Sequence, residues 1–331
     1  AEAERQLGER RSSLGRDERE ALTGDLERLR GWFEDEFERN GAGGVAVFAA
    51  RLDDVWQPLP LFEPVGDAAR IDRELYLTPL VRLVDRPEGA LVAYIGRERA
   101  DLYRLRGGRL VEIADQTTKV PGRHDQGGWS QARFGRHIEA IVARHLSEVA
   151  AALDASVRRL PGMPVVLIGP DEIRPELESI FAGETRSSVA GWATAEAHAD
   201  PGQLLEAALP LLAEWRSRRD EAVLERWQAE AATGGRASAD WEETLEAASD
   251  GRVELLLVHE GVDRAAYRCP ACGRAQAGAG PCPLDGAALE SCGTGLDLAV
   301  HQTLNHGGVV RVVADRSDLA SVGGIGALLR F

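Results

Sequence analysis

The chain has 331 residues, 44 % of them hydrophobic and 28 % charged. That length and mix exclude a wholly disordered protein and predict two or three domains at about 150 residues each. The net charge of −15 argues against a protein that coats nucleic acid with its whole surface, and no apolar run nears the ~18–20 residues of a membrane-spanning helix.

The chain opens on Ala1 rather than Met, which leaves open whether a piece precedes it. Its acidic, arginine-rich start lacks the apolar run of a secretory signal. Residues 1–40 read as helix, because Leu22, Leu26, Leu29, Trp32 and Phe33 recur at three- and four-residue steps amid dense charge. The run Asn40-Gly-Ala-Gly-Gly44 ends it. Gly44–Ala50 reads as a strand, and residues 58–64 as an extended, proline-punctuated segment. Residues 75–83 lead to the breaker Arg86-Pro87-Glu88-Gly89, where the first domain boundary is expected.

A second block begins with a strand over 90–95. Gly107-Gly108 between two strand-like runs signals a hairpin. A polar loop over 115–129 precedes a helix over 130–153, with Ser130 as its N-cap and Phe134, Ile138, Ile141, Val142, His145 and Val149 along one face. A buried-type strand follows over 164–169, then a helix from Asp171. A long helix is expected over 202–232, with Leu204, Leu205, Leu209, Leu211, Leu212, Trp215 and Trp227 facing inward and Pro210 kinking or splitting it. A short helix over 241–248, a strand over 253–258, a helix over 296–304 and strands over 308–313 and 325–331 complete the pattern. The expected division is 1–85, 86–198 and 199–331, α/β throughout and without an internal repeat.

All four cysteines fall within 24 residues, as Cys269-x2-Cys272, Cys282 and Cys292. A secreted disulfide protein would spread its cysteines along the chain, so clustering points to one metal site in a reducing, cytoplasmic compartment. A Cys-x-x-Cys turn brings two sulfurs within tetrahedral reach of Zn2+, and four protein ligands leave no open position. A structural zinc on Cys269, Cys272, Cys282 and Cys292 is therefore expected. A redox Cys-x-x-Cys is the lesser alternative.

The segment from Lys119 to His145 carries five Lys/Arg (Lys119, Arg123, Arg133, Arg136, Arg144) against two acids (Asp125, Glu139). A positive loop leading into a helix N-terminus suits phosphate. Gly127-Gly128 lets the main chain approach a ligand closely, and Trp129 offers a stacking face. Ser130 and Gln131 are neutral donors and acceptors. His124 and His137 add polar capacity. The bland alternative is an ordinary loop and cap, with Trp129 docked on the core.

The run Gln126-Gly-Gly-Trp-Ser-Gln-Ala-Arg-Phe-Gly-Arg-His137, heading a long helix after a hairpin, resembles the middle domain of the bacterial relatives of archaeo-eukaryotic class 1 peptide-chain release factors. Pelota-type rescue factors and the peptidyl-tRNA hydrolases of ribosome quality control are their kin. The stretches Gly251-Arg-Val-Glu-Leu-Leu-Leu-Val-His-Glu260 and His301-Gln-Thr-Leu-Asn-His-Gly-Gly-Val-Val-Arg-Val-Val313, with the cysteine segment between, are similar to the superfamily's third domain. The resemblance implies a central RNase H-like α/β domain and a C-terminal αβα domain carrying a zinc knuckle. It implies a loop that enters the ribosome and positions water against the peptidyl-tRNA ester, with Gly127, Gly128, Ser130 and Gln131 in the working tip. Lys119, Arg123, His124, Trp129, Arg133, Arg136 and His137 would face RNA.

Two departures stand out. The family glutamine follows the glycines directly; here Trp129 holds that slot, and Gln131 or Gln126 must serve. Residues 1–80 contain no lysine, so the stop-codon-reading loop of the Asn-Ile-Lys-Ser type is absent. The function expected is codon-independent hydrolysis of peptidyl-tRNA on stalled ribosomes. Its alternative is non-catalytic occupation of the A site of idle ribosomes; an RNA-binding module without a ribosomal role is the third reading. Expected partners are the ribosome, peptidyl-tRNA and rRNA, with a translational GTPase as a further partner in keeping with the resemblance, and no membrane.

Overall fold

A computed structural model describes residues 2–10, 14–38, 42–61, 64–84, 89–117, 130–196, 199–313 and 317–331. Two compact units emerge: residues 87–220 form one, and residues 1–86 together with 221–331 form the other.

The chain starts with α1 (Glu2–Arg10) and α2 (Arg16–Gly31), followed by one wide turn at Trp32–Glu36. β1 (Gly44–Ala50) then pairs antiparallel with β2 (Val55–Leu61). Pro58 and Pro60 lie two apart in β2 opposite Val47 and Val45. Both lack an N–H, and a strand paired on one side only, as β2 is among the described residues, tolerates that. Gln6 ties α1 to the following segment by accepting from the Ile71 N–H at 2.9 Å and donating to the Ala69 carbonyl at 2.7 Å. The short α3 (Val81–Val84) follows.

The 87–220 unit is a five-stranded sheet in the order β5-β4-β3-β6-β7. β3 (Leu91–Ile95), β4 (Arg99–Arg106) and β5 (Arg109–Thr117) are antiparallel neighbours; β6 (Val165–Ile168) and β7 (Val189–Ala193) add parallel strands. Gly107 and Gly108 turn the β4–β5 hairpin with φ of 55° and 73°, the left-handed pair that a two-residue hairpin turn requires. Alternate side chains of β3 go to opposite faces. Leu91, Ala93 and Ile95 pack with Val142, Leu146, Val149 and Leu153 of α4 (Ser130–Arg159) and with Leu177 of α5 (Arg174–Ile180). Val92 and Tyr94 pack on the other face, where Leu204, Ala208 and Leu212 of the long α7 (Pro201–Ala232) also lie. α6 (Gly183–Ser188) precedes β7.

α7 runs unbroken through Pro210, against the expected kink or split. Leu209, expected inside, is 50 % exposed. It sits one position, about 100°, from Ala208 on the helix wheel, off the line that Leu204, Ala208 and Leu212 make at four-residue steps. Farther along α7, Leu224 and Trp227 join the second unit's core.

That second core is built on the sheet β13-β9-β14-β8. β8 (Ala237–Ser238) is followed by α8 (Trp241–Ser249) and β9 (Val253–His259). A small antiparallel sheet comes next: β10 (Ala266–Arg268), β11 (Ala275–Gln276) and β12 (Glu290–Cys292). α9 (Gly295–Asn305), β13 (Val309–Val313), α10 (Ser317–Ala320) and β14 (Ile325–Leu329) finish the chain. Leu245, Leu256, Val258, Val300 and Val310 form one cluster with α8 and α9. Leu224, Trp227, Leu257, Val313, Leu319 and Leu328 form the other, giving the expected αβα layering. Val81 packs into the first of these clusters. The Asp297 carboxylate of α9 accepts the Leu77 and Thr78 N–H groups at 2.8 and 2.9 Å. Gly323 and Gly324, both at φ 80°, make the turn before β14. Among the described residues no helix is long and apolar enough to cross a membrane.

Candidate functional site

The tip residues Lys119, Arg123, His124, Gln126, Gly127, Gly128 and Trp129 lie outside the described residues. Their frame is described. β5 enters the segment from the hairpin, and α4 leaves it with Ser130, Gln131, Arg133 and Arg136 in its first two turns. The first four N–H groups of a helix have no partner within it, so this N-terminus favours an anionic group in front of it. His137 is exposed on the second turn of α4. His145, two turns on, is fully buried. Burial pushes its pKa below the ordinary histidine value, against a smaller opposing pull from the Glu148 charge and from backbone hydrogen bonds at Gly96 and Arg99. His145 thus belongs to the core that holds α4 on the sheet.

The cysteine segment is described throughout. Cys269, Cys272, Cys282 and Asp285 converge so that one ligand atom of each lies within 4.8 Å of the others. Cys272 Sγ and Cys282 Sγ are 3.5 Å apart, and Cys269 Sγ is 3.3 and 3.5 Å from the two Asp285 oxygens. With Zn–S bonds of about 2.3 Å, the edge of a zinc tetrahedron is about 3.8 Å between sulfurs, so these separations fit a tetrahedral ion closely. Cys292, expected as the fourth ligand, is not in this group. It ends β12 half-buried, with its Sγ 4.0 Å from the Glu290 carbonyl. The Ala287 N–H, 2.9 Å from Asp285 Oδ1, and the Cys269 thiol hold the Asp285 carboxyl down at about 2.

The segment is anchored on the αβα core. Ser249 Oγ accepts the Ala275 N–H at 2.9 Å, Gln302 donates to the Gly273 carbonyl at 2.9 Å, and Arg274 pairs with Asp250 and Glu246. Neither His301 nor His306 enters the ligand group: His301 Nε2 meets the Leu75 carbonyl at 2.5 Å, and His306 Nδ1 meets the Gln302 carbonyl at 2.8 Å.

Asp285 escapes a reading of the sequence by residue type, since it is one of 54 acidic residues. A signal exists nonetheless. Cys269-Pro-Ala-Cys-Gly273 and Cys282-Pro-Leu-Asp-Gly286 are the same turn written twice, with the carboxylate in the second cysteine's place.

Comparison with known proteins shows what the chain is similar to, namely peptide-chain release factors. More narrowly, residues 76–212, which hold the hairpin, the diglycine segment and α4, match the Bacterial archaeo-eukaryotic release factor family 10. The chain is 28 % identical over 228 residues to Peptide chain release factor subunit 1 of Archaeoglobus fulgidus, covering 66 % of this chain and 54 % of that protein. It is 27 % identical over 211 residues to the factor of the same name from Methanopyrus kandleri, covering 62 % and 51 %. The chain thus spans about half the length of these curated relatives. A crystal structure of Archaeoglobus fulgidus Pelota aligns with 77 % of this chain and 68 % of its own, at 17 % identity and a TM-score of 0.37.

Proposed function

We propose that this protein is a ribosome-associated rescue factor that hydrolyses the peptidyl-tRNA ester without reading a codon. The observation that carries the reading is Gly127-Gly128 immediately ahead of α4, inside the segment that matches the release factor family. Two glycines without Cβ atoms let main-chain N–H groups reach the acceptor end of a transfer RNA. A backbone N–H there stabilises the developing ribose oxyanion, and Gln131 or Gln126 orients the attacking water. Lys119, Arg123, His124, Arg133, Arg136 and His137 hold phosphates, and Trp129 stacks on a base. Peptide-chain release by the curated relatives, implied by their name, supports the ester chemistry. The absence of lysine from residues 1–80 supports codon independence.

The working partition is an N-terminal domain over 1–85, a central release-factor-like domain from 86 and a C-terminal domain to 331, with the last boundary taken at 220/221 rather than the expected 198/199, since Leu204, Ala208 and Leu212 pack with Val92 and Tyr94 of the central sheet. The cysteine segment adds a structural Zn2+ that fixes the fold and takes no part in hydrolysis. The protein acts in the cytoplasm on ribosome, rRNA and peptidyl-tRNA, and a translational GTPase is the candidate for delivering it.

One observation favours a second reading. Trp129 cannot orient water as a glutamine does, so a tip built to fill the A site and protect idle ribosomes would keep the glycines and lose the hydrolysis. Co-sedimentation with ribosomes and release of labelled peptide, measured on one preparation, separate the two. Binding with release supports hydrolysis, and binding without release supports protection. Failure to bind either vacant or stalled ribosomes removes both.

A further inference from the structure

We infer that the metal site of the C-terminal unit is a three-thiolate, one-carboxylate centre, formed by Cys269, Cys272, Cys282 and Asp285, in which Cys292 is not a ligand. The inference is independent of the translational reading. It rests first on the convergence of these four side chains and the exclusion of Cys292 from the group.

The second support is the backbone. Residues 269–274 and 282–287 form two turns of one geometry. The Gly273 N–H donates to the Cys269 carbonyl at 3.0 Å, and the Gly286 N–H donates to the Cys282 carbonyl at 2.9 Å. The Cys269 N–H donates to the Arg274 carbonyl at 2.9 Å, and the Cys282 N–H to the Ala287 carbonyl at 2.8 Å. Gly273 and Gly286 take φ of 77° and 75°, a left-handed conformation that glycine adopts without strain. Proline follows the first cysteine in both. Each turn therefore presents its first and fourth side chains alike, and Asp285 stands where Cys272 stands in the first turn.

The third support is donor chemistry. Zn2+ is borderline-soft and accepts a carboxylate oxygen at about 2.0–2.2 Å beside thiolates at about 2.3 Å. Three thiolates and one carboxylate carry the same total charge as four thiolates, so the exchange preserves the charge of the centre. The first residue of each turn is buried and the fourth is exposed. The carboxylate thus takes the solvent side, where a hard, hydrated group is desolvated least.

The test is X-ray absorption at the zinc edge of the full chain loaded with one equivalent of Zn2+. The expected shell is three sulfurs and one oxygen. Four sulfurs, or no bound zinc, overturns the inference. Competition with a chromophoric chelator assigns the oxygen. Asp285→Ala should weaken zinc binding by at least about tenfold, a loss that removing an outer-shell partner alone can produce. Asp285→Cys should convert the shell to four sulfurs, and Cys292→Ser should leave both shell and affinity unchanged. Zinc loss in Cys292→Ser, or unchanged affinity in Asp285→Ala, contradicts the assignment.

Discussion

Asp297 caps a turn that lies 219 residues away in sequence: its Oδ1 accepts both the N–H and the hydroxyl of Thr78, at 2.9 and 3.0 Å. The Leu77 N–H reaches the same oxygen, and Asp297 is only 8 % exposed. The carboxylate thereby fixes the 77–84 segment on the αβα core, into which Val81 inserts.

Asp297→Ala should strip three donors of their partner and cost about 2 kcal/mol or more, because a charged acceptor is lost and part-buried donors remain. Urea unfolding measures it. Asp297→Asn keeps one neutral oxygen and should cost less. Equal stability of Asp297→Ala and the parent would contradict the role.

Gly326 is a point of close approach in the same unit. A Cβ there would lie 2.8 Å from Trp227 Nε1 and 3.0 Å from the Ser238 carbonyl, the two partners of a buried 2.9 Å hydrogen bond. Gly326→Ala should destabilise by about 1–3 kcal/mol through overpacking. Thermal unfolding checks it, and the indole emission of the variant should report a displaced Trp227.

Stability should also depend on pH through His145. Its pKa is depressed in the folded protein, chiefly by burial. The unfolded chain titrates near 6.5, so below that pH it binds more protons than the folded chain. The stabilisation from holding His145 neutral is fully present above about pH 6.5 and declines as pH falls from there toward the folded pKa. Comparing denaturant midpoints of the parent and His145→Leu across pH 5–8 tests the sign: the difference between them should change below about 6.5 and stay level above it.

Much of this architecture is legible in the sequence because local rules decide it. Gly107-Gly108 announces the hairpin, since both positions need positive φ. Val165–Ile168 is an apolar, strand-length run and is fully buried. Leu209 is misleading for a physical reason. Leu204, Leu205, Leu209, Leu211 and Leu212 crowd one stretch of α7 and surround more than one stripe, so residue type alone does not show that the inward line is Leu204, Ala208 and Leu212. The Asp297–Thr78 cap is a contact between distant segments, and no short-range pattern encodes it. Asp285 is legible only when the two Cys-Pro turns are set side by side. Cys292 misleads because cysteine is the commoner zinc ligand and nine residues separate it from Cys282, the same gap as between Cys272 and Cys282.

Trp129 marks where the diglycine tip departs from the release-factor pattern it resembles. If it excludes hydrolysis, restoring the amide should enhance release, and Trp129→Gln should liberate peptide faster than the parent. If Gln131 or Gln126 already orients the water, Trp129→Gln should not speed release, and it should slow it if Trp129 makes the proposed stacking contact, worth about 1–3 kcal/mol. Single-turnover release from stalled ribosomes distinguishes the two.

The most direct measurement compares the parent with Gly128→Ala and Gln131→Ala in peptide release from stalled ribosomes at saturating protein, with ribosome binding followed in parallel. If the diglycine tip acts on the tRNA ester, Gly128→Ala should bind ribosomes as the parent does and release peptide about 10²–10³-fold more slowly, the scale of losing one oxyanion donor. Gln131→Ala should slow release as well. Release by both variants at the parent's rate would contradict the account.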